Sequence, residues 1–173
     1  MATLPIITLP NALLRKQSAP IERIDGALGK LADDMLDTMY AAPGVGLAAV
    51  QIGVPRRLIV VDTAKEDDPA APLIMVNPEI VSLGSDLRLH EEGCLSIPDE
   101  RVEIERPARL TVRFLDRNGK LQELAAEGLL ATVIQHEVDH LNGRLIVDYL
   151  SRLKRDIVIR RFKKLAKAGS ASA

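Results

Sequence analysis

The chain is poor in cysteine and in aromatic residues. Its 173 residues include one cysteine, no tryptophan and 2% aromatic residues in total. A single cysteine excludes an intramolecular disulfide, so a reducing compartment is favoured, and the lone thiol is interpreted as a metal ligand, a nucleophile or an inert core residue. The scarcity of aromatic side chains argues against nucleic-acid modules that stack bases on aromatic platforms.

The sequence also lacks a long apolar run and a strong charge imbalance. No segment approaches the roughly 20 apolar residues that a membrane-spanning helix needs. The formal net charge is -1, and 47% of the residues are hydrophobic. Met1 to Asn11 contains Pro5 and Pro10 and has no basic start of a signal peptide. We therefore expect one globular domain without a membrane partner, either cytoplasmic or the processed form of an organelle protein.

A histidine pair late in the chain carries the first chemical signal. In a helix, His136 and His140 stand on one face, about 6 Å apart along the axis, so both imidazoles reach one metal ion. Glu137 is turned by about 100° from His136, which puts a carboxylate beside the metal where a base acting on water is needed. Leu129 and Val133 continue the histidine stripe, so this face is predicted to be buried.

The third metal ligand has to come from upstream. A metzincin-like continuation fails at Ile146, which cannot bind a metal, and the downstream glutamate of thermolysin-like proteases is missing. His90 and Cys94 are the candidates. Cys94 is favoured because Gly93 frees the backbone that presents the only thiol, and His90 is the rival.

The apolar spacing predicts an α+β fold. A helix is expected over Asp25 to Tyr40, followed by short strands without regular βαβ alternation. Asn118-Gly119 favours a two-residue hairpin turn. We expect short antiparallel or mixed sheets around a central metal-binding helix, with N-terminal and C-terminal helices. The expected strands are Arg57 to Asp62, Leu73 to Val76, a short strand after Asn77-Pro78, two strands joined near Pro107, and Leu121 to Ala125.

A run of small residues follows the first predicted helix. The segment from Gly44 to Gln51 contains two glycines and two alanines, which leave the backbone open to a small ligand, and Gln51 ends the run with an amide. A glycine-rich turn between a helix and a strand is the alternative interpretation. Without G-K-[ST] or G-x-G-x-x-G, the run does not indicate a phosphate site.

Three segments together resemble the signature motifs of the peptide deformylases. The match is to G-x-G-L-A-A-x-Q, E-G-C-L-S and Q-H-E-x-D-H, in order and spacing, at Gly44 to Gln51, Glu92 to Ser96 and Gln135 to Gly143. The resemblance covers most of the chain to about Leu150. It implies a hydrolase that removes the N-terminal formyl group from nascent polypeptides that begin with formylmethionine, releasing formate.

The resemblance also implies the metal centre. By the family pattern the ligands are Cys94, His136 and His140, and Glu137 is the general acid and base. Ferrous iron is the expected metal, with zinc, nickel or cobalt as replacements. Glu92 is expected to orient one ligand with Arg106 as its partner, although a solvated carboxylate is the alternative.

The substrate contacts follow from the same resemblance. The Gln51 side chain and the Leu95 backbone N–H would polarise the formyl oxygen, and the Gly46 backbone would contact the substrate. An apolar pocket for the methionine side chain is expected from three further residues: Val45, Leu129 and Val133.

The C-terminal segment is basic. Residues 1-150 are expected to form the catalytic domain, and residues 151-173 a basic amphipathic helix with a short disordered tail. Its predicted apolar stripe consists of Leu153, Ile157, Phe162 and Leu165. In the family such a helix can dock on the ribosome near the exit tunnel, and a solvated face is the alternative. The protein is expected to be a monomer.

Two other functions fit the histidine pair. One is a peptidase that uses the same metal and base on unformylated peptides. The other is a non-catalytic binding module that the metal stabilises.

Overall fold

The computed structural model describes residues 2–172, with side chains described through Gly169. The α+β prediction is confirmed. In chain order the elements are α1 (Gly26–Ala41), β1 (Gly46–Ala48), β2 (Leu58–Val61), β3 (Leu73–Leu83), β4 (Leu87–Cys94), β5 (Ile97–Pro107), β6 (Arg109–Leu115), β7 (Leu121–Glu127), α2 (Gly128–Leu141) and α3 (Arg152–Ser172). Short 3-10 helices cover Ala12–Arg15, Ala49–Ile52 and Ile146–Tyr149.

No helix among the described residues combines the length and the apolar character that crossing a membrane requires. The division into a catalytic domain over 1-150 and a tail over 151-173 stays a prediction. Ala173, at the end of the predicted tail, lies outside the described residues.

A five-stranded antiparallel sheet in the order β1-β2-β3-β6-β7 separates α1 from α2. Leu58 and Val60 of β2 pack with α1, whereas Ile59 and Val61 pack with α2. A strand covered on both faces is uniformly apolar instead of alternating, which explains the L-I-V-V run. The sheet therefore supports α2 from one side along much of its length.

β4 and β5 form a second, two-stranded sheet with a jump in register. Gly93 lies opposite Arg101, but the next residue, Cys94, lies opposite Ile97. The jump leaves residues 98–100 without a partner in β4, and Asp99 adopts a left-handed φ of 67° there. Such a bulge bends the strand and re-aims its side chains, here at the end of β4 that carries Cys94.

β3 is a single strand, so the prediction of two strands separated by Asn77-Pro78 is wrong. The register shifts between Val76 and Glu79, and Asn77 has a φ of 51°. The Asn77 side chain accepts from the Ile21 N–H and donates to the Ile21 carbonyl, both at 2.8 Å. The bulge, which hydrogen bonds to the N-terminal segment hold in place, thus accommodates Pro78 without ending the strand.

The hairpin between β6 and β7 also differs from the two-residue turn that was predicted. Leu115 pairs with Leu121, and the Gly119 N–H donates to the Asp116 carbonyl at 3.0 Å. Gly119 has a φ of 80°, whereas Asn118 is not in the left-handed region. This is a type I turn followed by a glycine bulge, and the Asp116 carboxylate stabilises it by accepting from the Asn118 N–H.

The apolar stripe predicted for α3 is only partly buried. Val158 and Phe162 pack with Ile97 and neighbouring residues of the β4–β5 sheet. Leu153, Ile157 and Leu165 are 72%, 57% and 58% exposed. Leu165 lies on the same helical face as Val158, seven residues earlier, so α3 extends past the body of the protein at that point.

Candidate metal centre

Side chains from β4 and α2 converge on one point. The ligand atoms of Cys94, His136 and His140 all lie within 4.8 Å of one another, and Cys94 Sγ is 3.3 Å from His140 Nε2. Bond lengths of a tetrahedral zinc ion place a sulfur and a nitrogen ligand about 3.5 Å apart. His90 lines the same cavity but is not part of this cluster. Within the described residues, Cys94 and not His90 joins the histidine pair.

The chemistry of these three donors fits a transition metal. One thiolate sulfur and two imidazole nitrogens suit zinc, ferrous iron, cobalt or nickel better than magnesium or calcium, which prefer oxygen ligands. Three protein ligands leave a coordination position free, as catalytic sites require. His136 and the neighbouring Glu137 line a cavity of about 520 Å³, so that position faces a space large enough for a substrate.

The Glu92 carboxylate supports His136 from behind. His136 Nδ1 lies 3.0 Å from Glu92 Oε1, which leaves Nε2 for the metal. Burial raises the pKa of Glu92, but hydrogen bonds from His136 and Arg106 outweigh it, and the net pKa is lowered. The predicted contact of Glu92 with Arg106 is observed, and Glu92 also contacts His136, one of the predicted ligands.

Arg106 joins Glu92 to two residues that sequence reasoning missed. Its Nε and Nη2 donate to Glu92 at 2.7 and 2.9 Å. Its Nη1 donates to Asp139 Oδ2 at 2.9 Å and to Tyr149 Oη at 3.1 Å. Asp139 is the acidic position of the Q-H-E-x-D-H motif, whereas no sequence pattern singles out Tyr149.

His140 is enclosed and neutral. It is 1% exposed, and its Nδ1 has no hydrogen-bond partner among the described residues. Burial lowers the pKa of His140 well below its usual value. The neutral imidazole is the form that binds a metal.

Glu137 is placed to exchange a proton at the cluster. Its Oε1 is 3.9 Å from His136 Nε2, and its Oε2 has no hydrogen-bond partner in the described part of the chain. Burial raises the pKa of Glu137 to about 7, with a further contribution from the Glu92 charge. A carboxyl group with such a pKa can both accept and return a proton near neutral pH.

The Gln51 amide is held in a defined orientation. Its Oε1 accepts from the Ala48 N–H at 2.9 Å, and its Nε2 donates to Ser96 Oγ at 3.0 Å. The same Nε2 lies 3.7 Å from Cys94 Sγ, so this amide borders the cluster. Ser96 belongs to the E-G-C-L-S motif, but no role was predicted for it.

Leu95 lies in the turn between β4 and β5. It is the first of two residues between the paired Cys94 and Ile97, so its N–H is not needed by the strand ladder. Leu95 also lines the cavity. The structure therefore brings Leu95 to the same cavity as the metal cluster.

The predicted pocket residues line the cavity as well. Val45, Leu129 and Val133 form an apolar part of its wall together with Gly46. A Cβ atom at Gly46 would lie 2.7 Å from both Glu137 Oε1 and Val133 Cγ1, so no larger residue fits without displacing them. Gly46 thus brings the backbone of edge strand β1 close to the Glu137 carboxylate.

Comparisons with known proteins agree with this geometry. Residues 3–156 match the family model described as polypeptide deformylase. Peptide deformylase from Mesorhizobium japonicum is 60% identical over 163 residues, which cover 94% of this chain and 93% of that protein. Peptide deformylase from Rhizobium meliloti is 57% identical, with 100% and 99% of the two chains covered. A crystal structure of Ehrlichia chaffeensis peptide deformylase in complex with actinonin superposes with a TM-score of 0.90 at 42% identity, covering 95% of this chain and 98% of that chain.

Proposed function

The chain belongs to the polypeptide deformylase family, and we propose that Cys94, His136 and His140 hold the metal on which its reaction depends. The protein is a metal-dependent hydrolase that removes the N-terminal formyl group from formylmethionyl polypeptides and releases formate. The proposed ligand set is supported by one observation above all: a thiol and two imidazoles lie within 4.8 Å of one another.

Ferrous iron is the proposed physiological metal, with zinc, nickel or cobalt as replacements. The mixed sulfur and nitrogen donor set supports a metal of this class. Metal analysis of protein purified without oxygen should find about one iron per chain. Full activity with zinc alone, and no gain on iron loading, would contradict iron as the preferred metal.

When bound, the cation supplies Lewis-acid polarisation of the formyl oxygen and of water. Glu137 takes the proton of the attacking water and returns it to the departing amine. The Gln51 amide and the Leu95 N–H donate to the formyl oxygen as negative charge develops there. Support for these roles comes from the burial of Glu137 and from the two hydrogen bonds that orient Gln51.

Substrate selection is proposed to depend on two parts of the cavity wall. A formyl carbon carries a hydrogen where an acetyl carbon carries a methyl group, so the close approach of Gly46 to Glu137 would exclude the larger acetyl group. Val45, Leu129 and Val133 receive the methionine side chain, which is supported by their apolar side chains and by their position in the lining of the cavity. The Gly46 backbone lies in an edge strand and is free to pair with the peptide backbone.

Hydrolysis assays on Glu137→Gln test the proposed mechanism. This variant should retain its metal and release formate from formyl-Met-Ala-Ser at least 100-fold more slowly, since a positioned proton-transfer group contributes about 10² to 10⁴ in rate. Glu103→Gln, an exposed glutamate on β5, is the matched control with unchanged activity. Cleavage of the unformylated peptide at a comparable rate would support a peptidase instead, and full activity of Glu137→Gln would support a binding module.

Contact of α3 with the ribosome near the exit tunnel is also proposed. Exposed cations on this helix suit the phosphates of ribosomal RNA. Reversing the charges of Lys163, Lys164 and Lys167 to glutamate should weaken ribosome binding at least tenfold while keeping the buried Val158 and Phe162. Reversal of three exposed cations elsewhere, at Lys16, Arg23 and Lys120, is the control of equal charge. Equal affinities of the two variants would reject the contact.

A cytoplasmic location and a monomeric state are also proposed. The single thiol of Cys94 suits a reducing compartment. Size-exclusion chromatography with light scattering should give a mass near 18.9 kDa, the mass of one chain. A dimer mass would contradict the monomer.

A further inference from the structure

A chain of polar contacts, buried beside the metal cluster and part-buried at its far end, leads from the cluster to Tyr149. It starts at His136 Nδ1, passes through the Glu92 carboxylate to the Arg106 guanidinium, and ends at Asp139 and Tyr149. Glu92 and Arg106 are 4% and 5% exposed. The contacts of Glu92 with Arg106 and His136 are therefore shielded from solvent. In such a buried environment an unpaired polar group has a high cost.

The Tyr149 hydroxyl closes this chain. It donates to Asp139 Oδ2 at 2.7 Å and accepts from Arg106 Nη1 at 3.1 Å, while Arg106 Nη1 also donates to Asp139 Oδ2 at 2.9 Å. These three groups form a closed triangle. Burial, followed by the Asp139 carboxylate, raises the pKa of Tyr149 to about 12, so the phenol keeps the proton that it donates.

The orientation of the Arg106 guanidinium decides where Glu92 lies. A planar guanidinium binds a carboxylate through two parallel hydrogen bonds, so any tilt of Arg106 moves both Glu92 oxygens. One of these oxygens, Oε1, contacts the His136 ring at 3.0 Å. The triangle fixes the guanidinium from the side opposite Glu92.

We propose that Tyr149 is a positioning residue of the metal centre: its hydroxyl fixes Arg106 and Asp139, and through Glu92 it keeps the His136 ring aligned for metal binding. The inference rests on the proposed ligand role of His136. Tyr149 is not among the residues that line the cavity, so it acts on the metal site without touching the substrate.

Tyr149→Phe isolates the hydroxyl. The ring would still pack against the guanidinium groups of Arg144 and Arg106, which lie 4.2 and 4.9 Å from its centroid. Without the hydroxyl, Arg106 Nη1 loses an acceptor in a buried environment and shifts to recover one. Changes in partners behind a metal ligand typically cost about 10- to 100-fold in metal affinity. Because Tyr149 acts through Arg106 and Glu92, we expect a loss of metal affinity at the lower end of this range, about tenfold.

The experiment uses the full chain loaded with Co²⁺. Loss of the ion to excess EDTA should be about tenfold faster for Tyr149→Phe, and the cobalt absorption bands should shift because the His136 ring is reoriented. KM for formyl-Met-Ala-Ser should stay unchanged. If Tyr149→Phe does not fold, as judged by near-UV circular dichroism, Asp139→Asn perturbs the same triangle with the same expected result.

The other tyrosine of the chain provides a matched control. Tyr40 also donates to a carboxylate, Asp62 Oδ2, at 2.6 Å, but it takes no part in the contacts around Glu92. Tyr40→Phe should lose Co²⁺ at the wild-type rate with wild-type bands. In the Glu92→Gln background, Tyr149→Phe should have no additional effect, because Tyr149 acts through Glu92.

Two results would overturn the inference. The first is Co²⁺ retention and absorption bands in Tyr149→Phe that equal those of the wild type. The second is an equal acceleration of Co²⁺ loss in Tyr40→Phe, which would indicate a general effect on stability. Failure of the ligand assignment itself is distinguishable, since His136→Ala would then bind one Co²⁺ per chain with wild-type bands.

Discussion

Gly46→Ala is the substitution for which the structure predicts a large loss of activity from one added methyl group. The new Cβ would lie 2.7 Å from Glu137 Oε1 and 2.7 Å from Val133 Cγ1. Ordinary contacts between such atoms begin near about 3.5 Å, so one or both neighbours must move by about 0.8 Å. Val133 is β-branched within a helix and has essentially one χ1 rotamer, so Glu137 moves.

The displacement acts on the proposed base directly. A misplacement of about 1 Å in a catalytic group costs on the order of 100-fold in rate, or about 2.7 kcal/mol of activation free energy. Overpacking of the same site lowers the unfolding free energy by about 1 to 3 kcal/mol. We therefore expect Gly46→Ala to fold, to retain its metal, and to have a kcat about 100-fold lower.

Steady-state formate release from formyl-Met-Ala-Ser measures the effect, with metal content and urea unfolding determined in parallel. Gly26→Ala is the control, because a Cβ at Gly26 meets nothing within 4 Å. Adding Val133→Ala to Gly46→Ala opens space on one side and should recover part of the activity. A kcat for Gly46→Ala within threefold of the wild type, at full metal content, would refute the steric reasoning.

Further outcomes follow from neighbouring contacts. Gln51→Ala should lower kcat by about 10² to 10³ at unchanged metal content, because one donor to the developing oxyanion is lost; an unchanged kcat would exclude this role. Chelation of the metal should lower Tm in calorimetry, since the ion binds the folded state, and an equal Tm would contradict a bound ion. Burial raises the pKa of Asp62, but hydrogen bonds from Tyr40 and two backbone N–H groups outweigh it, so the folded pKa is lowered. The resulting stabilisation is present above the unfolded-state pKa of about 4 and is lost as pH falls through the lower folded-state pKa. The destabilisation by Tyr40→Phe in urea unfolding should therefore be larger at pH 7 than at pH 3, and a pH-independent difference would contradict it.

The helical parts of the site could be predicted because their geometry is local. A spacing of four residues puts His136 and His140 on one helical face whatever surrounds them, and Glu137 follows at a constant angle. The N-terminal helix was predicted over Asp25 to Tyr40 and is observed at Gly26–Ala41, with Asp25 accepting from the Leu28 N–H at 3.0 Å as its N-cap. Helix boundaries of this kind depend on neighbours within one turn.

The errors in the predicted strands arise instead from contacts between distant segments of the chain. Asn77 stays within β3 because its side chain binds Ile21, which is 56 residues away in sequence. The exposed apolar residues of α3, such as Leu165, depend on where the body of the protein ends beneath the helix. Spacing alone does not contain either fact, since both depend on contacts between distant segments.

By itself the sequence determined the donor types, the helical presentation of both histidines, and the carboxylate next to them, because these depend on residue identity and on the regular rise of a helix. Only the tertiary structure decided which residues from other segments contact the two histidines. The register jump in the β4–β5 sheet brings the Cys94 sulfur to His140, and Arg106 gathers Glu92, Asp139 and Tyr149 behind His136. These contacts join four separate segments of the chain, and their distances are set by the packing of the sheets against α2, which no local pattern encodes.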